Sequence, residues 1–346
     1  MTEMTERPLV TFAVIAYNQE RFIREAIEGA FSQTYEPLEI ILSDDCSSDR
    51  TYQIMQEMAA AYNGPHKVVL NRNMSNLGLV PHIDRVMEMV SGDFIVVNAG
   101  DDVSLPERTS ILAEIWRKSN RTIKLLHSSA RRIDLEGDDF GVRTPPQKII
   151  HNQSPEDIIL NFSWVIGATA AWDREIFDTF GPIGGDLSIE DHIIPFMASI
   201  VGKIYYVQSS LVKHRSGGST KKTEESIGRN YLYGGGLKSR KWDLETDRYV
   251  LGRIEDWGGK KKIIYSICSN RQKILEYSIM IAELNKVRMI LSLPDALRIS
   301  HRHKTIRPLK DWTRYVFDFL YIPYANWNIK RQLKNQGLYE SELPHK

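Results

Sequence analysis

Four apolar runs, LVTFAVIA (9–16), LEIILS (38–43), KVVL (67–70) and FIVV (94–97), alternate with segments whose apolar residues recur at helical spacing. Between the first two, ERFIREAIEGAFSQ (20–33) puts Phe22, Ile23, Ala26, Ile27, Ala30 and Phe31 on one helical face. DRTYQIMQEMAAAY (49–62) and LVPHIDRVMEMV (79–90) supply two more helices. A fourth begins near Pro106, where proline suits the first turn. Continuous runs rich in β-branched and aromatic residues are strands buried on both faces. The pattern therefore predicts a doubly wound, mainly parallel α/β sheet with helices on both faces.

Beyond about residue 134 the alternation weakens. LEGDDFGVRTPPQK (135–148) reads as a loop and SPEDIIL (154–160) as a short capped helix. NFSWVIGATAAW (161–172) is an apolar segment broken by Gly167. SIEDHIIPFMASIVG (188–202) is an apolar helix opened by two carboxylates, and KIYYVQSSLVKHRSGGST (203–220) is a strand followed by a basic turn. Past residue 225 the pattern becomes helical and polar, with YGGG (233–236) as a break. Segment 298–334 holds nine Lys/Arg against two Asp, interleaved with Trp and Tyr. It reads either as a solvated helical appendage or as a membrane-surface element, aromatics at headgroup level and cations on anionic lipid.

A net charge of +1 offers no case for nucleic acid. Cys46 and Cys268, far apart, argue against a disulfide framework and for a reducing cytoplasm. The start, MTEMTERPLVTFAVIAYN, places acidic residues before a short apolar run, the wrong polarity for a signal peptide. No run approaches the roughly 18 apolar residues of a spanning helix. A cytoplasmic protein is expected, at most peripheral at the inner face of a membrane.

In open α/β sheets the ligand sits at the carboxyl ends of the strands, and the polar clusters fall there: Tyr17-Asn18-Gln19-Glu20, Asp44-Asp45, Asn73 to Gly78, and Gly100-Asp101-Asp102. Neither GxGxxG after the first strand nor GxxxxGK[ST] occurs. That argues against a nicotinamide dehydrogenase or a P-loop NTPase. A bound diphosphate would need basic side chains or a divalent cation instead. Adjacent Asp101 and Asp102 repel each other unless something offsets them, and their hard oxygens suit Mg²⁺ or Mn²⁺.

TFAVIAYNQERFIREAIEGAFSQTYEPLEIILSDDCSSDRT, then NLG, then AGDDVSLPER, then IED resembles, in order, the inverting glycosyltransferases of family 2, over roughly residues 8 to 220. The resemblance implies the GT-A fold. It implies a domain over 1–225, with a nucleotide-sugar half at about 8–120 and an acceptor half at about 121–225, and a mainly helical region at 226–346. Asp44 and Asp45 resemble the "DDxS" pair that binds the base, with Ala16 and Tyr17 lining it, although the usual preceding proline is missing. Asn18 and Glu20 join the nucleotide site. Asn76 and Gly78 resemble the loop over ribose and diphosphate. Asp101 and Asp102 resemble the end of the "D-A-D-D" motif, with Asp102 as metal ligand, but Ala99 and Gly100 replace its first two residues. Glu190-Asp191 matches the "ED" motif, whose aspartate is the expected base, held ionised by the helix N-terminus. His214 is a candidate metal ligand, Arg215 a diphosphate contact, and Trp164 and Trp172 are candidate acceptor platforms.

These assignments imply transfer of a sugar from a nucleoside diphosphate sugar, UDP-linked by expectation, to a glycan or polyprenyl-linked acceptor, as in O-antigen or other surface polysaccharide synthesis. A catalytically inactive nucleotide- or glycan-binding relative and a sugar-1-phosphate nucleotidyltransferase stay open as alternatives. A homo-oligomer is compatible with the sequence.

Overall fold

The computed structural model describes residues 7–145, Pro155, Ile158, 165–184 and 190–216, the side chain of His192 excepted. These residues lie in the first of the chain's two units, Met1–Lys221. Trp164, most of the 154–160 segment, the 233–236 break and the basic-aromatic 298–334 segment lie outside the described residues.

The expected alternation is present. Strands β1 (Val10–Ala16), β2 (Leu38–Asp44), β3 (Lys67–Arg72) and β4 (Phe94–Ala99) alternate with helices α1 (Ile23–Phe31), α2 (Thr51–Ala61) and α3 (Leu79–Met87), and α4 (Arg108–Lys118) follows. The four strands pair in parallel, in the order β3-β2-β1-β4. Alternate residues of one strand serve two cores. Val10, Phe12, Val14 and Ala16 pack with residues of α1, α2 and α4, including Ile27, Met55 and Trp116. Ile15 on β1 and Val97 on β4 instead face Leu79 and Ile83 of α3. That two-sided burial is what the unbroken apolar runs encode.

The second half of the sheet is mixed. β5 (Val103–Ser104), β6 (Ile123–Ile133), β7 (Asp139–Arg143), β8 (Ala171–Asp173) and β9 (Lys203–Arg215) join helices α5 (Glu175–Phe180) and α6 (Glu190–Val201). β8 lies antiparallel between β4 and β6, β9 runs parallel to β6, and β5 pairs antiparallel with the end of β9. β6 therefore points the same way as β4, and its carboxyl end and that of β9 reach the same edge as those of β1 to β4.

One segment differs from the sequence reading and another follows it. Residues 139–143, read as loop, form β7, an edge strand hairpinned onto β6. Phe140 and Val142 alternate along it but both stay exposed, and two apolar residues around Gly141 are too short a pattern to separate a strand from a loop. The 161–172 segment breaks at Gly167 as expected, into a 3₁₀ turn (Gly167–Thr169) leading to β8. No helix among the described residues is long and apolar enough to cross a membrane.

Candidate functional site

The loops after β1 and β2 are stapled to each other. Asn18 N–H donates to Ser47 Oγ (2.8 Å), and Ser48 N–H donates back to Asn18 Oδ1 (2.9 Å). Glu20 N–H donates to Asp49 Oδ2 (3.1 Å), while Glu20 Oε2 accepts from Arg50 N–H (2.9 Å). Asn18 and Glu20 thus shape the nucleotide-side loops through each other, with Asn18 in the left-handed region (φ 52°) that asparagine tolerates. Ala16 is buried beneath them, and the Tyr17 ring stands 46% exposed at the mouth.

Asp44 and Asp45 are both buried but differ in use. Both oxygens of Asp45 hold the loop after β3: Oδ1 accepts from Asn73 Nδ2 (2.8 Å) and Leu77 N–H (2.9 Å), Oδ2 from Gly78 N–H (2.9 Å). Asn76 Oδ1 also accepts from Gly78 N–H (2.9 Å), and Gly78 is at φ 82°, which glycine takes without strain. Asp44 Oδ2 accepts from Ser47 N–H (2.9 Å) and lies 3.4 Å from Arg72 Nε. Its Oδ1 is buried with no hydrogen-bond partner among the described residues. Of the two, Asp44 is the one with an acceptor to offer a base.

At the end of β4, a Cβ on Gly100 would collide with the Gln19 side chain and with Ala16. The absence of alanine at this position follows from that close approach. Asp102 is buried, and Arg215 N–H donates to its Oδ1 (2.8 Å), an arrangement set by the β5–β9 pairing. Burial, with Asp101 beside it, pushes the Asp102 carboxyl up to about 8, and burial also raises Asp101.

Arg215 corrects an expectation. Its guanidinium points inward, donating through Nε to Asp101 O (3.1 Å), through Nη1 to Asp134 O (2.9 Å), and through Nη2 to Glu25 Oε2 (2.8 Å). With its side chain 1% exposed, it braces the Asp101-Asp102 turn against the β6–β7 hairpin, its guanidinium nitrogens taken up by protein acceptors. Arg143, on the strand read as loop, is a cation beside His214 and near Asp191. Its Nη1 lies 3.4 Å from His214 Nε2, and its charge opposes the raised pKa of Asp191. Burial, reinforced by Arg143 and Arg132, pushes His214 down to about 4, so its imidazole is neutral at pH 7. Among the described residues no three His, Cys, Asp or Glu side chains cluster to hold a metal; His214 does not join Asp101 and Asp102 in such a cage.

Arg108, within the AGDDVSLPER stretch but given no role from sequence, is wholly buried, with no carboxylate bonded to it among the described residues. It donates to Ser104 Oγ (2.7 Å), Asn98 Oδ1 (3.3 Å) and Val97 O (2.8 Å). Asn98 Nδ2 in turn donates to Asp102 O (2.8 Å), so the arginine fixes the aspartate loop from behind.

Glu190 and Asp191 open α6, as read. Burial raises both carboxyls, Asp191 well above the usual range because Glu190 lies beside it. The helix N-terminus favours an ionised Asp191, while burial and the neighbouring Glu190 oppose it and raise its pKa. Asp191 Oδ1 is buried without a partner among the described residues. A Cβ on Gly167 would collide with that oxygen, so the glycine turn makes room for the pair. Pro195, one turn into the helix, has no N–H for Asp191 O, and Val165 N–H takes that carbonyl instead (3.4 Å). Asp191, Glu190, Gly167, Asn98 and Ala99 line one cavity, which brings the α6 carboxylates to the end of β4. Trp172 is 2% exposed, packed on Phe177 at 6.0 Å between centroids. It is a core residue of the cavity wall, not the exposed acceptor platform expected.

Residues 11–153 match the model of "Glycosyl transferase family 2". The glycosyltransferase candidate EpsE of Bacillus subtilis is 33% identical over 140 residues, 40% of this chain and 48% of that protein. Chondroitin synthase of Escherichia coli is 29% identical over 130 residues, 38% of this chain and 18% of that protein. The chain thus spans about half or less of the length of these curated relatives. Among solved structures, S. aureus TarS 1–349 in complex with UDP-GlcNAc superposes with a TM-score of 0.57 at 16% identity, covering 96% of this chain and 93% of that one. Mannosyltransferase PcManGT from Pyrobaculum calidifontis, in complex with GDP-Man and Mn²⁺, superposes at 0.53 with 14% identity, covering 91% and 88%. At such identities the likeness is one of fold, and that fold is GT-A.

Proposed function

Residues 11–153 are a family 2 glycosyltransferase domain, and from that premise we propose that the chain transfers a sugar, with inversion, from a nucleoside diphosphate sugar to a hydroxyl of a glycan or lipid-linked glycan. One observation carries the reading: Asp191, with a buried and unpartnered carboxylate oxygen, shares a cavity with the end of β4, where Asp101 and Asp102 begin. A base, and a carboxylate pair able to hold a cation against the diphosphate, at one sheet edge are what an inverting displacement needs.

The base of the donor sits between Tyr17 and Ala16, and Asp44 Oδ1 accepts from an imide N–H, as uracil provides. The TarS and PcManGT structures hold UDP-GlcNAc and GDP-Man respectively, and the N1–H of guanine would serve Asp44 equally. UDP is preferred here because the small Ala16 and the Tyr17 ring suit a pyrimidine. Asp101 and Asp102 offer hard carboxylate oxygens that would suit a divalent cation sharing its shell with phosphate oxygens and water. Burial raises both carboxyls, with Asp101 beside Asp102 adding to the second, and sets a cost that a cation there would offset. They do not fit an all-protein cage. When bound there, Mn²⁺ or Mg²⁺ supplies positive charge to the diphosphate.

The acceptor hydroxyl approaches the anomeric carbon from the side of Asp191. Its oxygen forms the new glycosidic bond as the bond to the diphosphate breaks, and its proton passes to Asp191. Arg143 offers positive charge on the same side. Surface polysaccharide synthesis is the context proposed, with the 298–334 segment as a membrane-surface contact.

The test is Asp191→Asn. It should bind the donor as tightly as the parent, by calorimetry with Mn²⁺, while transfer falls about 10²–10⁴-fold, the usual worth of a general base. Equal turnover by parent and variant would remove Asp191 from the role. An inactive parent that still binds nucleotide would favour a binding-only relative.

A further inference from the structure

His82 is buried on α3 among Val80, Ile83, Val86 and Met87. An apolar residue would fill that place without the cost of burying an imidazole, so the ring is there for the hydrogen bond it makes. Its Nε2 lies 2.6 Å from Ser43 Oγ, near the end of β2. Which atom donates is set from the far end of a chain of bonds. The Asp45 carboxylate accepts, so Asn73 gives it Nδ2 (2.8 Å) and turns Oδ1 the other way. Asn71 Nδ2 donates to that Oδ1 (3.0 Å) and, with its second hydrogen, to Ser43 Oγ (2.9 Å). The Ser43 hydroxyl hydrogen is left for His82 Nε2, which is therefore the unprotonated nitrogen. Burial pushes the imidazole pKa down, more than the nearby Asp45 and Asp44 push it up, and so keeps that nitrogen free to accept.

The chain of bonds closes on itself. Asp45 holds Leu77 N–H and Gly78 N–H, Gly78 leads into α3, and His82 N–H donates back to Gly78 O (3.0 Å). The 73–78 loop is thus fixed at one foot by Asp45 and at the other by the helix that His82 pins to β2. It stands at the carboxyl ends of β2 and β3, the edge where such sheets bind ligands. Asp45 also adjoins Asp44, whose Oδ1 is without a partner among the described residues. Resting on the glycosyltransferase reading, we propose that His82 is a positioning residue for the donor: through Ser43, Asn71 and Asn73 it holds Asp45 and the 73–78 loop in the arrangement that receives the nucleotide. It touches no reacting atom, and it acts on donor binding, not on the transfer step.

Three variants of the full chain and two readouts test the role. His82→Leu removes the acceptor, His82→Gln returns one because a glutamine Oε1 reaches near the place of Nε2, and Ser43→Ala removes the hydroxyl between. The first readout is amide hydrogen exchange without ligand. Peptides holding Leu77 and Gly78 should exchange about 10-fold faster in His82→Leu and at the parent rate in His82→Gln, with β1 and β4 unchanged. The second is calorimetry with Mn²⁺ and either UDP or GDP, whichever the parent binds more tightly. Kd should rise about 5–30-fold in His82→Leu, the effect of leaving a buried hydroxyl without its acceptor, and stay near the parent value in His82→Gln. Transfer at saturating donor should keep its kcat within about threefold, because only binding is lost. Ser43→Ala is the milder change; it should repeat both effects and decides the matter if His82→Leu fails to fold. Unchanged loop exchange, unchanged affinity, an equal loss in His82→Gln, or faster exchange spread evenly over the sheet overturns the role and leaves His82 a core residue. A parent that binds neither nucleotide overturns the glycosyltransferase reading itself and the role with it, and the parent's titration alone tells that failure from the others.

Discussion

Gly167 lacks a side chain where the oxygens of Asp191 and Glu190 need the volume, so the residue scale is where catalysis is most exposed to error. Gly167→Ala should leave the fold intact, as judged by circular dichroism, and cut transfer at least ~10²-fold, because a small displacement of a positioned base is costly. A normal rate in that variant would mean that the pair is not used as drawn. The pH profile offers a sharper test. Asp191 must be ionised to accept a proton, and burial and Glu190 raise its pKa while Arg143 lowers it. The acid limb of kcat/KM should therefore lie well above pH 4. Glu190→Gln removes a group that raises the pKa and should move the limb to lower pH, whereas Arg143→Gln removes one that lowers it and should move the limb up. Parallel shifts in the two variants would contradict the geometry. The placement of Arg143 beside His214 was not legible in the sequence, because the two apolar residues of its short edge strand, Phe140 and Val142, flank a glycine and read equally well as loop. Arg215 was misread for a related reason: which way its guanidinium turns depends on the β5–β9 register, set by residues over a hundred positions apart.

Helix α6 shows how an element can be legible and still hide its main device. Its apolar residues and paired carboxylates announced a helix, which begins at Glu190. Pro195 within it is visible in the sequence too, but the consequence needs the fold: the carbonyl left open is that of Asp191, and Val165 N–H ties the glycine turn to it. Pro195→Ala would return an N–H to the helix ladder. It should stabilise the helix by about 1–3 kcal/mol, read as a higher Tm, and should slow transfer as the turn bearing Gly167 loses that anchor. A variant both more stable and fully active would show the tie to be incidental. The strands divide along similar lines. β1, β2 and β4 are buried on both faces and stand out as unbroken apolar runs, as β1's burial of all seven residues shows. β6 interrupts its apolar start with His127, Ser128 and Ser129, each buried but hydrogen-bonded or ring-packed, Ser129 to Tyr206 at 2.6 Å and His127 beside the same ring. Periodicity cannot see burial achieved through polar pairing.

At the scale of the whole molecule, the sheet edge gathers negative charge from distant strands, and that must show in stability. Asp102 is pushed up to about 8 in the folded state by burial and by Asp101, whereas in the unfolded chain it titrates near ~3.9. A carboxyl raised on folding stabilises while protonated, so its contribution is full below pH ~4. As pH rises toward 8 the folded protein holds a proton that the unfolded chain releases, and stability falls. Without ligands the Tm should therefore drop between pH 5 and pH 9, by an amount equivalent to about 2–5 kcal/mol. Asp102→Asn removes the titrating group and should flatten much of that slope. Mn²⁺ with UDP at about 100 times their Kd should add roughly 2.7 kcal/mol by mass action, and more at high pH, where the carboxylates are already ionised and no proton must be displaced. EDTA should erase the gain, as should Asp102→Asn. A gain that ignores both would mean that the aspartate pair holds no cation. The diphosphate would then rest on the cationic side of the site, on Arg143, and the Asp102 carboxylate and Asp101 carbonyl at the end of β4 would serve the fold by holding Arg215 across the β6–β7 hairpin.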